Sequence, residues 1–343
     1  MAGWAAAQAG KNREIINARM KASLRTPQVL PRVAVMTTAF LTHPAALSHH
    51  NPEGHAECVA RLEAVYAATD DLDLLRIEAP LANNTPILRA HPQRYIDDLE
   101  ARQPTSGTVA LDPDTHLSAG SLTAARHAVG GMVKAVDMVL DGEATNAFIA
   151  MRPPGHHAER EKSMGFCLFG NVAIAALHAL EARGLSRVAI VDFDVHHGNG
   201  TQDILWNEPR IRFFSSHGFP LYPGTGAADE QGAHGQITNL PLPPESTGAL
   251  YREKLDSIIL PALEAFRPDL LIISAGFDAH TADPLANLNW HDDDFAHTTR
   301  KLCEIAQKHC NGRLVSALEG GYNLSTLGRL VRAHLEVLQE FSA

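Results

Sequence analysis

The clearest chemical signal in the sequence is a polar run that directly follows a short apolar segment. Residues 188–191 are all apolar, which predicts a buried strand, and Asp194 and His196 follow before a Gly-Asn-Gly turn. Residues two apart in an extended chain face the same side, so these two side chains can point at one position. Because a carboxylate and an imidazole are both ordinary zinc ligands, the pair predicts a metal site at the carboxyl end of this strand.

Four other predicted strands from residue 146 onward also end in unusual polar loops. These loops carry His156 and His157, Ser215, Asp278 and Tyr322, in chain order. Since the carboxyl ends of parallel strands meet at one edge of a sheet, we expect the five loops to lie together. Taken alone, Asp278 is also compatible with a turn cap. Together with the first pair it completes an Asp/His/Asp set that leaves one coordination position open, as in catalytic zinc sites.

The remaining polar side chains of these loops suit acid–base chemistry beside a metal-activated water. Imidazoles titrate near neutral pH, so His156 and His157 fit this task, although two adjacent histidines alone are also typical of a surface loop. Asp192 and Asn199 are the expected hydrogen-bond acceptors that would fix the tautomer of each ring. Tyr322 follows two glycines, whose backbone freedom would let its phenol turn into a pocket and polarise a carbonyl oxygen.

Strands alternate with helices along the part of the chain that carries these loops. Predicted strands occupy residues 32–38, 146–151, 188–193, 211–215, 237–242, 269–274 and 313–318. Predicted helices occupy residues 57–69, 91–99, 121–140, 171–183, 201–206, 247–266, 292–309 and 325–341. This alternation predicts a three-layer α/β fold with a mostly parallel central sheet and helices on both faces. We expect a single domain over residues 32–343, since no linker-like stretch divides it.

The composition excludes several classes of protein. A net charge of −10 argues against a nucleic-acid-binding surface, and no apolar run reaches the roughly 18 residues of a membrane span. Four cysteines without a CxxC pair predict a reducing compartment such as the cytoplasm. Residues 1–31 carry five basic side chains and one acidic one, Glu14. They are expected to form an arm that packs on the domain or on a second subunit of a homo-oligomer, with an organelle transit peptide as the alternative.

Taken together, the loop motifs resemble those of the zinc-dependent histone deacetylase and acetylpolyamine amidohydrolase family. The motifs are Arg-Pro-Pro-Gly-His-His-Ala at 152–158, Gly-Phe-Cys-Leu-Phe-Gly-Asn at 165–171, Val-Asp-Phe-Asp-Val-His-His-Gly-Asn-Gly-Thr-Gln at 191–202, Tyr-Pro-Gly-Thr-Gly at 222–226, Ser-Ala-Gly-Phe-Asp-Ala-His at 274–280, Asp-Pro at 283–284 and Glu-Gly-Gly-Tyr at 319–322. The resemblance runs from about His43 to the C-terminus and is strongest to the class II branch and its bacterial relatives. It implies an arginase-like α/β fold and the removal of an acetyl or other short acyl group from an amine.

For the reaction centre, the resemblance implies one catalytic zinc ion bound by Asp194, His196 and Asp278. It also implies that His157 is the general base and acid, that His156 is its electrostatic partner, and that Tyr322 binds the substrate carbonyl and its oxyanion.

The resemblance further implies a tunnel for the acyl-lysine side chain and a structural potassium ion. Phe166 and Tyr222 match the aromatic walls of the tunnel, Gly165 precedes the first of them, and Asp114 loosely matches an acidic residue at the rim. Potassium would bind the side chains of Asp192 and Ser215 and the backbone carbonyls of Asp192, Asp194, His196 and Ser216.

Several alternatives stay open on the sequence. An acyl-lysine peptide or protein is the preferred substrate over an acylated polyamine, because Leu285 stands where the polyamine-specific branch has a glutamate. A non-catalytic acyl-lysine-binding module would have lost a ligand, the base or the tyrosine. A binuclear manganese hydrolase would need further bridging carboxylates. The chain departs from the family pattern at Ala56, where the rim loop could sit differently, and at Gly170, which begins a helix.

Overall fold

A parallel sheet forms the centre of the protein in the computed structural model, which describes residues 37–342. Ten strands are described: β1 (Thr38–Thr42), β2 (Leu75–Glu78), β3 (Thr108–Ala110), β4 (His116–Ser118), β5 (Asn146–Ile149), β6 (Val188–Asp192), β7 (Ile211–Gly218), β8 (Ile237–Leu242), β9 (Leu270–Ala275) and β10 (Leu314–Leu318). Eight of them form one sheet in the order β2-β1-β5-β10-β9-β6-β7-β8, in which every neighbouring pair is parallel. Strands β3 and β4 form a separate antiparallel hairpin.

Helices cover the sheet as two packed groups. The described α-helices are α1 (Ala60–Thr69), α2 (Asn84–Ile87), α3 (Gln93–Arg102), α4 (Ser121–Asp141), α5 (Asn171–Glu181), α6 (Asn199–Leu205), α7 (Gly248–Lys254), α8 (Leu260–Phe266), α9 (Asp292–His309) and α10 (Leu324–Glu340). In one group α10 packs on α1 and α9, and in the other α5 packs on α4 and α6. Every residue of β5, β6, β9 and β10 is buried, so these central strands are covered on both faces.

The long alanine-rich helix α4 illustrates how composition permits close packing. Gly130 lies against the loop that follows β2, and a Cβ at this position would lie 1.8 Å from the carbonyl oxygen of Pro80. The helix ends at Gly142, which has a φ of +70° and therefore stops helical propagation without strain.

The predicted fold class is confirmed, with differences in individual elements. The predicted helix at 247–266 is α7 and α8 separated by a π-helical turn at Leu255–Ile259. The first described strand is Thr38–Thr42, whereas most of the strand predicted at 32–38 lies outside the described residues, as does the predicted arm at 1–31. The single domain over 32–343 therefore stays a prediction. The sequence reasoning also missed β2 and the β3–β4 hairpin.

The strand register brings the polar loops to one edge of the sheet. Asp192 of β6 pairs with Ser215 of β7 on one side and with Ser274 of β9 on the other. The segments that follow these strands therefore leave the sheet side by side. In the described part of the chain, no helix combines the length and hydropathy that a membrane crossing requires.

Candidate active site

Three side chains of types that bind metal ions meet at the carboxyl edge of the sheet. Asp194 and His196 follow β6, and Asp278 follows the neighbouring strand β9. One ligand atom from each lies within 4.8 Å of the others, and all three residues are buried. His196 Nδ1 is 3.1 Å from Asp194 Oδ1 and 3.1 Å from Asp278 Oδ2, so the three donor groups face a common centre.

Backbone contacts hold both carboxylates in place. The Val195 N–H donates to Asp278 Oδ1 at 2.9 Å, and the Gly320 N–H donates to Asp194 Oδ2 at 2.7 Å. A Cβ on Gly276 would lie 2.0 Å from Asp194 Oδ2, and a Cβ on Gly320 would lie 2.0 Å from Asp278 Oδ2. Because only glycine lets the backbone approach this closely, both loops are shaped around the carboxylate pair.

Two buried carboxylates in one cluster are electrostatically costly without a cation. Burial, followed by the charge of Asp194, raises the pKa of Asp278 to about 7. Burial opposes the shift at His196, but the two carboxylates raise the pKa of its imidazole to about 10. Two carboxylates and one imidazole that face one point fit a divalent cation such as zinc, with a position left for water or substrate.

Two adjacent histidines stand beside this centre with different partners. His156 Nδ1 is 3.1 Å from Asp192 Oδ2, whereas His157 Nδ1 is 2.7 Å from Asn199 Oδ1. Burial lowers the pKa of His156, but Asp194 and Asp192 outweigh it and raise this pKa to about 10. Burial and the charge of His156 hold the pKa of His157 well below its usual value. His157 is therefore the neutral ring of the pair at pH 7 and is free to accept a proton.

A cavity of about 210 Å³ opens onto these side chains. The residues that line it are Asp114, His157, Gly165, Phe166, His196, Tyr222, Leu285 and Tyr322. The ring centroids of Phe166 and Tyr322 are 5.7 Å apart, and those of Tyr222 and His157 are 5.2 Å apart. Three aromatic rings and Leu285 thus give the cavity apolar walls. Among these residues, Tyr222 is 37% exposed to solvent. Such walls suit an alkyl chain that leads to a polar reacting group.

Tight loop geometry places one of these walls. Gly165 has a φ of +55°, and a Cβ there would lie 2.3 Å from His157 Cδ2, so the chain packs directly on the imidazole. Phe166 has a φ of +69°, which is uncommon for a residue with a side chain. Its N–H donates to Thr115 Oγ1 at 3.0 Å. This bond joins the wall to the β3–β4 connection that also carries Asp114.

Tyr322 is oriented by groups on two sides. Asp283 Oδ2 accepts its backbone N–H at 2.7 Å, and the guanidinium carbon of Arg61 lies 4.8 Å from its ring centroid. Arg61 also donates to the carbonyls of Gly321 and Glu319, at 2.7 and 2.5 Å. Burial holds the pKa of the Tyr322 hydroxyl well above its usual value, so this hydroxyl keeps its proton and can donate a hydrogen bond.

The residues predicted to bind potassium lie on adjacent strands behind the histidine pair. Asp192 pairs in register with Ser215, and the Ser216 hydroxyl donates to the Asp192 carbonyl at 3.3 Å. Ser215 Oγ is 3.0 Å from His217 Nδ1. The structure thus places the three residues together, and their binding of potassium stays a prediction.

Comparison with known proteins identifies the family. Residues 55–338 match the model of the histone deacetylase domain. The chain is 39% identical over 285 residues to the histone deacetylase-like amidohydrolase of Pseudomonas aeruginosa, covering 82% of this chain and 74% of the relative. It is 37% identical over 301 residues to a probable deacetylase of Archaeoglobus fulgidus, covering 84% and 82%. The crystal structure of the HDA15 HD domain superposes with a TM-score of 0.83 at 33% identity, covering 89% and 88%. The chain belongs to the histone deacetylase family.

The predicted site residues of this histone deacetylase family member come together in the structure. Asp194, His196 and Asp278 converge, and the same cavity is lined by His157, Tyr322, Phe166, Tyr222, Gly165, Leu285 and Asp114. His156, Asp192 and Asn199 lie directly behind it, where the first two contact each other and the third contacts His157. Their individual roles stay predictions. The family supports the coarser statement that the chain is a hydrolase of the deacetylase class.

Sequence reasoning missed a buried ion cluster in this deacetylase family member, which supports the loop that carries Tyr322. Glu57 accepts hydrogen bonds from Arg152, at 2.5 Å between Oε2 and Nη2, and from Arg61 at 3.1 Å. His49 Nε2 lies 3.4 Å from the same carboxylate. A signal was present in the sequence, since Glu57 and Arg61 are four residues apart at the start of a predicted helix. Arg152, which lies 95 positions away, could not be paired with them from one sequence.

Proposed function

We propose that this protein is a zinc-dependent deacetylase that removes an acetyl or other short acyl group from the ε-amine of lysine in peptides or proteins. The observation that carries the proposal is the apolar-walled cavity, which exposes His157, His196 and Tyr322 at one place. An acylated lysine has a matching shape, because a thin alkyl chain ends in one polar amide.

The proposed reaction is hydrolysis of the amide bond. Zinc held by Asp194, His196 and Asp278 would supply Lewis-acid polarisation of the carbonyl and of water. His157 takes a proton from the attacking water as the new C–O bond forms at the acyl carbon. It then gives that proton to the leaving amine as the C–N bond breaks. Tyr322 donates its O–H to the carbonyl oxygen, which gains negative charge in the transition state.

His156 has a supporting part in this proposal. Its imidazole centroid is 3.9 Å from that of His157, and its proton is held by Asp192. The positive charge that Asp192 stabilises on His156 keeps the neighbouring ring neutral before the reaction, because two adjacent imidazolium ions would repel each other. We also propose that Asp192, Ser215 and Ser216 hold a structural potassium ion.

Acylated polyamines are the second candidate substrates, and acidic groups near the cavity support them. Asp114 lines the cavity, and Asp112 Oδ1 accepts the Asp114 N–H at 3.0 Å, so two carboxylates lie close together there. These groups could hold a distal ammonium group. Leu285 supports the lysine peptide instead, because it adds apolar wall rather than charge.

A substrate panel tests the proposal. The purified protein is assayed with acetyl-lysine peptides, with acetylated polyamines, and with each after chelation and zinc restoration. We expect turnover of the peptides with a higher kcat/KM, loss of activity with the chelator and recovery with zinc. Hydrolysis of no acylamide by the zinc-loaded protein would refute the function, and preference for polyamines would select the second candidate. The compartment and oligomeric state stay predictions.

A further inference from the structure

A hydrogen-bonded chain runs from the proposed base to a glutamate outside the cavity. His157 Nδ1 is 2.7 Å from Asn199 Oδ1, and Asn199 Nδ2 donates to Glu159 Oε1 at 2.8 Å. We propose that Glu159 is a positioning residue, which fixes the orientation of the Asn199 amide and through it the tautomer of His157. This inference rests on the proposed function, because it explains which ring nitrogen of the proposed base, His157, carries the proton.

The chemistry of an amide makes such a residue necessary. The two ends of an asparagine side chain are nearly equal in shape, but one accepts hydrogen bonds and the other only donates them. If Asn199 presented its NH₂ to His157, Nδ1 would have to be the unprotonated nitrogen, and Nε2 would carry the proton. A base with that tautomer cannot take a proton through Nε2.

Two acceptors next to Asn199 select the productive orientation. Besides Glu159 Oε1, the Met164 sulfur lies 3.3 Å from Asn199 Nδ2. In the flipped orientation the amide oxygen would face a carboxylate and a thioether sulfur, neither of which can donate a hydrogen bond. Asn199 is buried, so the flipped amide would leave its oxygen without a protein donor at a buried position, which is costly. Oδ1 therefore faces His157, whose Nδ1–H donates to it.

The backbone around Glu159 is built to hold the carboxylate at this position. The Glu159 N–H donates to the Lys162 carbonyl at 2.9 Å, which closes a tight turn. The next residue, Arg160, donates its N–H to Asp203 Oδ2 at 2.9 Å. Asp203 lies on α6, one turn after Asn199, so the turn and the amide are attached to the same helix.

Single variants give the first test. For Glu159→Ala we expect kcat to fall by about 10- to 100-fold, the usual cost of removing a residue that orients an active-site group, with little change in KM. Glu159→Gln should retain most activity, because its amide oxygen can still accept from Asn199. Glu161→Ala is the matched control, since Glu161 lies in the same turn but pairs with Arg94. We expect wild-type kcat from it. Zinc content and thermal midpoint are measured for each variant.

The effect of Glu159→Gln on kcat should change sign when residue 199 is an aspartate. In Asn199→Asp the new carboxylate would face Glu159, and the two anions repel each other. Glu159→Gln should therefore increase kcat in the Asn199→Asp background, although it does not increase it in the wild type. Loss of packing or stability cannot produce that reversal. Equal kcat for Glu159→Ala and wild type, or no gain in the double variant, would overturn the inference.

A measurement without turnover separates this inference from the proposed function. In wild-type protein labelled with ¹⁵N, the His157 ring shifts should report a proton on Nδ1, and in Glu159→Ala they should report a mixture of tautomers. If the protein hydrolyses no acylamide but these shifts differ as stated, the function fails and the positioning role stands. If the protein is active and the shifts are identical, only the positioning role fails.

Discussion

Replacement of Gly320 by alanine should remove zinc from the site without changing any ligand. The added Cβ would lie 2.0 Å from Asp278 Oδ2 and 2.6 Å from Asp194 Oδ2. To reach ordinary contact at 3.4 Å, the Asp278 oxygen must retreat by about 1.4 Å. Metal–ligand distances tolerate shifts of only about 0.2 Å, so two of the three ligands lose their geometry together. Since changes behind a ligand already cost about 10- to 100-fold in affinity, we expect at least about 100-fold weaker zinc binding.

The assay is zinc content after dialysis against zinc-buffered solutions, followed by competition with a chelator. Gly248→Ala is the matched control, because its Cβ would lie 2.0 Å from Asp294 Oδ2, a carboxylate of the helix α9 N-terminus. Both variants should be destabilised, but only Gly320→Ala should lose zinc. Zinc affinity of Gly320→Ala equal to that of Gly248→Ala would refute the reasoning, since it would mean that the loop yields and the carboxylates do not move.

Three further predictions concern Tyr322, Glu57 and Leu285. Tyr322→Phe should lower kcat by about 10²- to 10³-fold with zinc still bound, as expected when one donor to a developing oxyanion is lost; turnover within a few-fold of wild type would contradict the role. Glu57→Gln should lower the free energy of unfolding by about 3–5 kcal/mol in a denaturant titration, because it leaves buried arginines unpaired. Burial would raise the pKa of Glu57, but Arg152 and His49 lower it well below its usual value of 4.5. Its stabilisation is therefore complete above pH 4.5 and is lost as pH falls through the lowered pKa, so the variant should show a flatter acid dependence of stability. Leu285→Glu should raise the ratio of kcat/KM for acetylated polyamine over peptide by roughly two- to fivefold, the value of a partly solvated ion pair; an unchanged ratio would place the polyamine determinant elsewhere.

The strand ends could be predicted because their signal is local. Each apolar run from residue 146 onward that precedes a polar loop forms a strand of the sheet, and the rule that parallel strands share a carboxyl edge supplies the convergence of Asp194 and Asp278. Neither step needs a contact between distant residues. This is why the convergence of Asp194, His196 and Asp278 with the histidine pair and Tyr322 could be predicted from the sequence.

The cavity rim was harder to predict from the sequence because it is built from irregular chain. Strand β3 is fully exposed over its three residues, so it has no apolar alternation that could predict it. Its connection to β4 nevertheless brings Asp114 and Thr115 to the wall at Phe166. The positive φ of Phe166 is likewise invisible in a sequence, since propensity favours glycine there. The loose match of Asp114 to a rim acid reflects this absence of a local signal.

The departure at Ala56 shows how one loop serves both the rim and the interior. Its two neighbours in sequence face different surroundings. His55 Nε2–H donates to the Asp114 carbonyl at 2.9 Å, and its ring centroid is 4.8 Å from that of Phe166. Glu57 is fully buried and anchors the side of the loop that faces the protein interior. These contacts belong to residues 55 and 57, so they do not depend on the side chain at position 56. A proline there would make the backbone more rigid but would add no hydrogen bond, because proline has neither a side-chain donor nor an N–H. The loop is therefore positioned by the anchors at 55 and 57, and alanine between them is compatible with an intact rim.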